Sequence, residues 1–314
     1  MQDDRILHRL KLRDLRILLA VTQAGSMAKA ATRLATSQPA VSRAISDMEA
    51  ALGVALLVRS SQGVEPTPCG RALIKRGVTV FDELSQGVKE IEFIADPTVG
   101  EVRIGATSSI SAGLVATAID RISRNYPRIS FRVVTGGPPG LVRQLRERDL
   151  DMVILRRPLV PLQDETIGSE MLFEDQHVIV AGPNHPCARR RRLGLADLVN
   201  QAWTLPEPEH PIGAALVEAF RAEGVEIPRA IVTTSDGSLR DTPLATGHYL
   251  TTLPESLLRF SRRLSSFKVL PVDLPTTRGP TSITTVKNRE LSPVARLFIE
   301  CLREVAKPLA KGRR

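Results

Sequence analysis

Between Leu12 and Gly53 the apolar positions keep a helical period that breaks twice. Leu12, Leu15, Leu18, Leu19 and Thr22 fall near one face of a first helix over 12–24. Met27, Ala30, Ala31 and Leu34 mark a second helix behind Ser26, a hydroxyl N-cap. The phase is lost at Ala35-Thr36. Ser37 then caps a third helix, with Pro39 in the first turn, where a missing N–H costs nothing. Val41, Ile45, Met48 and Leu52 form its apolar stripe, which turns Gln38, Ser42 and Arg43 outward. Ala30 and Ala31 are small enough to let two helices cross closely.

After Gly53 the pattern shortens to two β-type runs around Ser60-Ser61-Gln62-Gly63, as in a hairpin. A proline-free stretch over 71–95 follows. Ile74, Phe81, Leu84, Val88 and Ile91 recur there close to a heptad seam, with Gly77 at one seam position. This helix either pairs with its copy in a second chain or packs on its own chain. Asp96-Pro97-Thr98-Val99-Gly100 ends it and reads as a hinge. Beyond the hinge, strands and helices alternate. Strands are expected at 101–106, 129–134, 152–155, 177–182, 202–205, 230–234, 249–253 and 282–287. Helices are expected at 113–127, 139–149, 195–199, 213–224, 238–246 and 292–306. This rhythm builds a parallel-sheet α/β domain.

Charge sharpens the picture only at the N-terminus. The net charge is +9. Residues 1–76 hold 12 Lys and Arg against 6 Asp and Glu, 77–96 hold 1 against 5, and 97–314 hold 30 against 23. The first segment is thus the densest in positive charge, as contacts with a phosphate backbone require. A helix that buries one stripe and offers an amide, a hydroxyl and a guanidinium on the other suits a DNA major groove. Cys69, Cys187 and Cys301 are odd in number and far apart, so no disulfide framework is expected, which fits a reducing compartment. No apolar run approaches the ~20 residues of a membrane helix. The N-terminus, with Asp3, Asp4 and Arg5, lacks an apolar secretion core. A cytoplasmic protein without a membrane partner is the expectation.

The run Ala30-Ala31, Leu34, Ser37-Gln38-Pro39-Ala40-Val41-Ser42, Ile45, Glu49, Leu52-Gly53 resembles the winged helix-turn-helix of LysR-type transcriptional regulators. Leu18 and Met27 stand where that family often has Phe, Met48 where it often has Leu, and Thr36 where an apolar residue is usual. The later strand–helix order, a first lobe interrupted by a second with a late return strand, is similar to the periplasmic-binding-protein-like effector domain of the same family. The resemblance implies a multidomain α+β fold. An all-α winged helix-turn-helix would occupy 1–70 and a linker and dimerisation helix 71–96. A two-lobed α/β effector domain would occupy 97–314, with lobe one about 101–157 and 276–306 and lobe two about 158–275. It further implies double-stranded promoter DNA as partner, dimers through 71–95 assembled pairwise into tetramers, and RNA polymerase at the promoter.

On this reading Gln38 and Arg43 contact base edges, with Ser37, Pro39 and Ser42 beside them. Ser26, Lys29, Arg59 and Thr67 hold phosphates, which position without reading sequence. For Arg59 a solvated surface charge is the alternative. Ligands of open α/β sheets sit beyond the carboxyl ends of strands. Thr107, Ser108 and Ser109 stand at the first such end, Ser109 aligning with a family effector position. Thr135, Gly136 and Gly137 stand at the second. Pro206 and Ser235 are candidates for the opposing wall. Each has a plainer reading as a cap or a turn residue. Arg156, near the crossover, is either a counter-charge for an anion or a salt-bridge partner. The ligand would be a small-molecule co-inducer of unknown identity, with no cofactor.

Enzyme chemistry finds little support. The five histidines (8, 177, 185, 210, 248) lack metal-ligand spacing. His185-Pro186-Cys187 is too close in sequence to make a nucleophile–base pair. Arg189–Arg192 suits a solvated loop or an intersubunit patch. No GxxxxGK[ST] occurs, and no GxGxxG follows a strand. Two rival functions weaken for want of features. A solute-binding protein or enzyme with an accessory domain would need a secretion signal or a catalytic constellation. A nucleoid-type architectural binder would have no use for two lobes.

Overall fold

The computed structural model describes residues 8–60, 63–156, 165–261 and 264–310, without the side chains of Arg59, Ser60, Ser238 and Asp241. The chain forms two compact units, Met1–Val88 and Lys89–Arg314.

In the first unit, α1 (Leu12–Ala24), α2 (Met27–Arg33) and α3 (Gln38–Leu52) are followed by a hairpin of β1 (Leu57–Ser60) and β2 (Gly63–Pro66). Ala30, Val41, Ile45, Met48 and Leu18 are sealed in its core. The buried face of α1 is Ile17, Leu18, Ala20 and Val21. Leu12, expected inside, is 50% exposed, and Leu19 and Thr22 are half-buried. The contact face is turned because α1 must meet α2 and α3 together. Ala35, at the phase break, takes the left-handed φ of 50° that the tight turn demands.

The long helix α4 (Pro68–Ala95) starts three residues earlier than its apolar period. Thr67 Oγ1 accepts the Gly70 N–H at 2.9 Å and so caps it, while Pro68 fits the first helical position. The seam changes role along its length. Ile74 packs against the N-terminal core, and Gly77 lies so near Leu15 that a Cβ there would come within 2.9 Å of Leu15 Cδ1. Further on Leu84, Val88 and Ile91 are 51%, 55% and 68% exposed.

The second unit contains two five-stranded sheets. The first joins β3 (Val99–Ala106), β4 (Arg128–Thr135), β5 (Met152–Arg156), β6 (Ile167–Asp175) and β12 (Gly279–Val286) in the order β4-β3-β5-β12-β6. The second joins β7 (His177–Ala181), β8 (Ala202–Leu205), β9 (Ala230–Thr233), β10 (Tyr249–Pro254) and β11 (Lys268–Val269) in the order β11-β7-β10-β8-β9. Helices α5 (Ala116–Asn125), α6 (Pro138–Arg146), α7 (Pro211–Ala222), α8 (Gly237–Ala245), α9 (Glu255–Phe260) and α10 (Pro293–Ala310) complete it.

Three expectations change. Strand β6, absent from the sequence reading, pairs with β12. Lobe two therefore does not span 158–275: residues 167–175 belong to lobe one, because the return strand β12 has a free edge that β6 fills. The 157/158 boundary itself lies outside the described residues. The first sheet is mixed rather than parallel, since β12 runs antiparallel to β5 and β6. Helix does not wait until residue 113. A turn at Ser108–Ile110 and a π-helical turn at Ser111–Val115 lead into α5.

A buried charge cluster anchors lobe one. Asp151, 1% exposed, accepts hydrogen bonds from Arg103 Nη2 at 2.8 Å and from Arg289 Nη2 at 3.0 Å. Lys89 Nζ lies 3.9 Å from its Oδ2. Burial alone would raise the Asp151 carboxyl, but the hydrogen bonds and charge of Arg103, with Lys89, hold it below the usual range.

Candidate DNA-reading surface and interlobe cleft

Helix α3 puts its stripe inside and its polar residues out. Val41, Ile45 and Met48 are at most 1% exposed, whereas Gln38, Pro39 and Arg43 are exposed and Ser42 is half-buried. Ser37 Oγ accepts the Ala40 N–H at 3.4 Å, so the predicted cap forms. Ser26 sits at the N-cap position of α2, without a side-chain capping bond, and Lys29 is exposed on the next turn. A recess of about 240 Å³ brings Ser26 and Gln38 together with Gly25, Gly63 and Val64.

The hairpin is tied to this surface by the backbone. Val64 N–H donates to the Gly25 carbonyl at 3.0 Å, and Gly63, at φ 127°, approaches the same carbonyl too closely for a side chain. Glu49 Oε1 accepts the N–H groups of Leu56 (2.7 Å) and Leu57 (3.2 Å), a role not foreseen from sequence. Arg59 lies on β1, with its side chain outside the described residues. Thr67 commits its hydroxyl inside the domain: it donates to the Ala55 carbonyl at 2.7 Å besides accepting from Gly70.

In the second unit the carboxyl ends of β3, β4 and β5 lie at one edge of the first sheet, because the three strands are parallel. Thr107 and Ser109 are half-buried there, and Ser108, Thr135, Gly136 and Gly137 are exposed. Across the crossover, Pro206 is buried beyond β8, Thr234 is 9% exposed and Ser235 is exposed. The chain passes between the sheets at Asp175-Gln176-His177 and returns near Thr277, whose Oγ1 accepts the His177 N–H at 3.0 Å. Helix α9 spans the same gap. Ser256 Oγ donates to Asp175 Oδ2 at 2.5 Å, and Leu257 and Phe260 lie against Gly113 of lobe one.

Arg156 ends β5, and its Nη2 donates to the Asp175 carbonyl at 3.1 Å. Burial lowers its pKa, and burial raises that of Asp175 against the pull of Ser256 and Arg156. His177 is held well below the ordinary range, first by burial and then by the nearby charges of Arg156 and Arg240. Asp175, Arg240 and Ser256 carry no signal in the sequence, and His177 stands there only as one of five scattered histidines, since only the crossover brings them together. A second recess, of about 460 Å³, lies elsewhere on lobe one, lined by Gly168, Glu170, Leu291 and Arg303 among others, and holds none of the predicted effector residues.

Family comparison fits this geometry domain by domain. Residues 12–71 match the bacterial regulatory helix-turn-helix proteins of the lysR family, and residues 95–307 match the LysR substrate binding domain. The chain belongs to the LysR family of transcriptional regulators. Relatives include the HTH-type transcriptional regulator GbpR of Azospirillum brasilense, 30% identical over 300 residues (94% of this chain, 86% of that one). The transcriptional dual regulator GltC of Bacillus subtilis is 29% identical over 295 residues (93% and 96%). Among solved structures, full-length OxyR from Pseudomonas aeruginosa superposes with a TM-score of 0.64 at 21% identity, covering 97% of this chain and 96% of that one. Full-length CbnR complexed with its target DNA gives 0.53 at 21%, covering 95% and 100%. At such identities these two speak for the fold.

This LysR-family chain is a DNA-binding transcription regulator with an effector-binding domain, and it is not an enzyme. Among the described residues no helix is long and apolar enough to cross a membrane, and no group of three or more His, Cys, Asp or Glu could hold a metal ion.

Proposed function

We propose that this LysR-family regulator reads a pseudo-palindromic promoter site with two copies of α3 and adjusts that reading when a small molecule binds between its lobes. One observation carries the DNA half: the polar face of α3 is open while its apolar face is sealed. Gln38 and Arg43 contact base edges, with Ser37, Pro39 and Ser42 alongside. Ser26, Lys29 and Arg59 hold phosphates, and Thr67 positions the hairpin that carries Arg59. The exposed stripe of Leu84, Val88 and Ile91 pairs with its counterpart in a second chain, and dimers pair into tetramers. The protein works in the cytoplasm, beside RNA polymerase at the promoter.

Thr107, Ser108, Ser109, Thr135, Gly136 and Gly137 form one wall of the effector site, and Pro206 and Ser235 stand on the other. A ligand that binds one lobe arrangement more tightly shifts the population toward it, and by the same coupling alters DNA affinity. Selection of duplexes from a randomised pool by the full-length protein tests the core of the reading. A two-half-site consensus is expected. Enrichment of no sequence would overturn it.

A further inference from the structure

Several buried polar atoms at the interlobe crossover find no hydrogen-bond partner among the described residues. Arg156 uses Nη2 on the Asp175 carbonyl, but its buried Nη1 is unmatched. Thr281 stands directly opposite Arg156 in the β5–β12 register, is 1% exposed, and has an unmatched Oγ1. Across the crossover, His177 is 6% exposed with an unmatched Nδ1. Thr252, on the same face of the second sheet, is fully buried with an unmatched Oγ1.

Two strands of lobe one and two of lobe two thus turn spare donors and acceptors toward one crossover. A buried guanidinium N–H without an acceptor is costly, and native proteins rarely leave one so. Asp175 acts on Arg156 through its charge but offers Nη1 no oxygen. The Asp175 carboxylate is already held by Ser256 Oγ and by the N–H groups of Ser256 and Gln176. Arg156 reaches only its backbone carbonyl.

We propose that the effector carries a carboxylate, which takes the Arg156 Nη1–H with the Thr281 hydroxyl and the His177 ring beside it. This rests on the reading of the cleft as the effector site. One free guanidinium edge amid neutral hydroxyls and an imidazole matches a single negative charge. Arg156 and Arg240 are the positive charges acting on His177, and Asp175, which acts on Arg156, is the negative one, so one positive charge is left over. A dianionic phosphate would keep an excess charge buried.

The test is calorimetric titration and thermal unfolding of the full-length protein with straight-chain monocarboxylates from acetate to hexanoate, their primary amides, and inorganic phosphate. At least one acid should bind while its amide does not. Arg156→Gln should weaken that acid at least tenfold, and Thr281→Val severalfold. Should Arg156→Gln unfold, Arg156→Lys and Thr281→Val carry the comparison. Equal binding of acid and amide, acid binding indifferent to both sites, or a response to phosphate alone overturns the proposal. Silence from every acid overturns it too. A neutral metabolite library that then stabilises the protein would keep the cleft as a sensor, and silence from that library would remove the cleft reading as well.

Discussion

The carboxylate of Glu49, on α3, accepts the backbone N–H of Leu56 at 2.7 Å, where the hairpin begins. One side chain therefore helps set the angle between the helix proposed to read bases and the hairpin expected to lie along the phosphates. Hydrogen bonds to a charged group contribute about 1.5–3 kcal/mol. Glu49→Ala should lower unfolding stability by about that much. It should weaken binding to all DNA sequences while leaving the preferred sequence unchanged, as denaturant melts and binding to matched and mismatched duplexes will show.

Arg43→Ala and Arg59→Ala should separate reading from holding. A bidentate base contact discriminates by about 1–3 kcal/mol. Loss of Arg43 should relax preference at one base position. Loss of Arg59 should weaken all duplexes alike and flatten the dependence of log K on log salt by about one unit. Identical sequence profiles for the two variants would contradict the division.

The exposed stripe of α4 makes assembly testable by light scattering. Ile91→Asp and Leu84→Asp each place a charge on a seam that is otherwise apolar. Both variants should shift the protein toward monomer and reduce affinity for a two-half-site duplex far more than for a single half-site. Unchanged mass and affinity would mean the stripe is not the seam.

Gly70 is required by space. A Cβ there would meet the Leu56 carbonyl oxygen at 2.0 Å, a backbone atom that cannot swing aside. Overpacking of this kind costs about 1–3 kcal/mol, so Gly70→Ala should lower the melting temperature. Gly87→Ala, in the same helix with nothing within 4 Å, should raise stability by about 0.5–1 kcal/mol.

Acid should destabilise the second unit. Burial strongly depresses the pKa of His177, so at this site the unfolded chain takes up a proton first. Its contribution is complete above the ordinary histidine value of about 6.5 and falls away as pH drops below it, by up to about 1.4 kcal/mol per pH unit. His177→Gln should reduce the slope of unfolding free energy between pH 7 and pH 5. An unchanged slope would place the proton uptake elsewhere.

Local physics made much of this protein legible from its residues. The three N-terminal helices follow from apolar period, a hydroxyl cap at Ser37 and Pro39 in a first turn. The outward face of Gln38 and Arg43 follows from the same phase, because a helix that buries Val41, Ile45 and Met48 has no other way to point them. Most strands of the two lobes are short apolar runs and were legible too. What sequence could not yield depends on partners distant along the chain. The polar-rich strand Ile167–Asp175 is a strand only because β12 offers it an edge, and the face α1 buries is set by the pair of helices above it. Asp151 meets Arg289 across 138 residues, and Arg156, His177 and Thr281 converge only where the chain crosses twice between sheets. Backbone propensity and side-chain period are local quantities, whereas sheet pairing, desolvation and charge matching are fixed only once the chain has closed on itself.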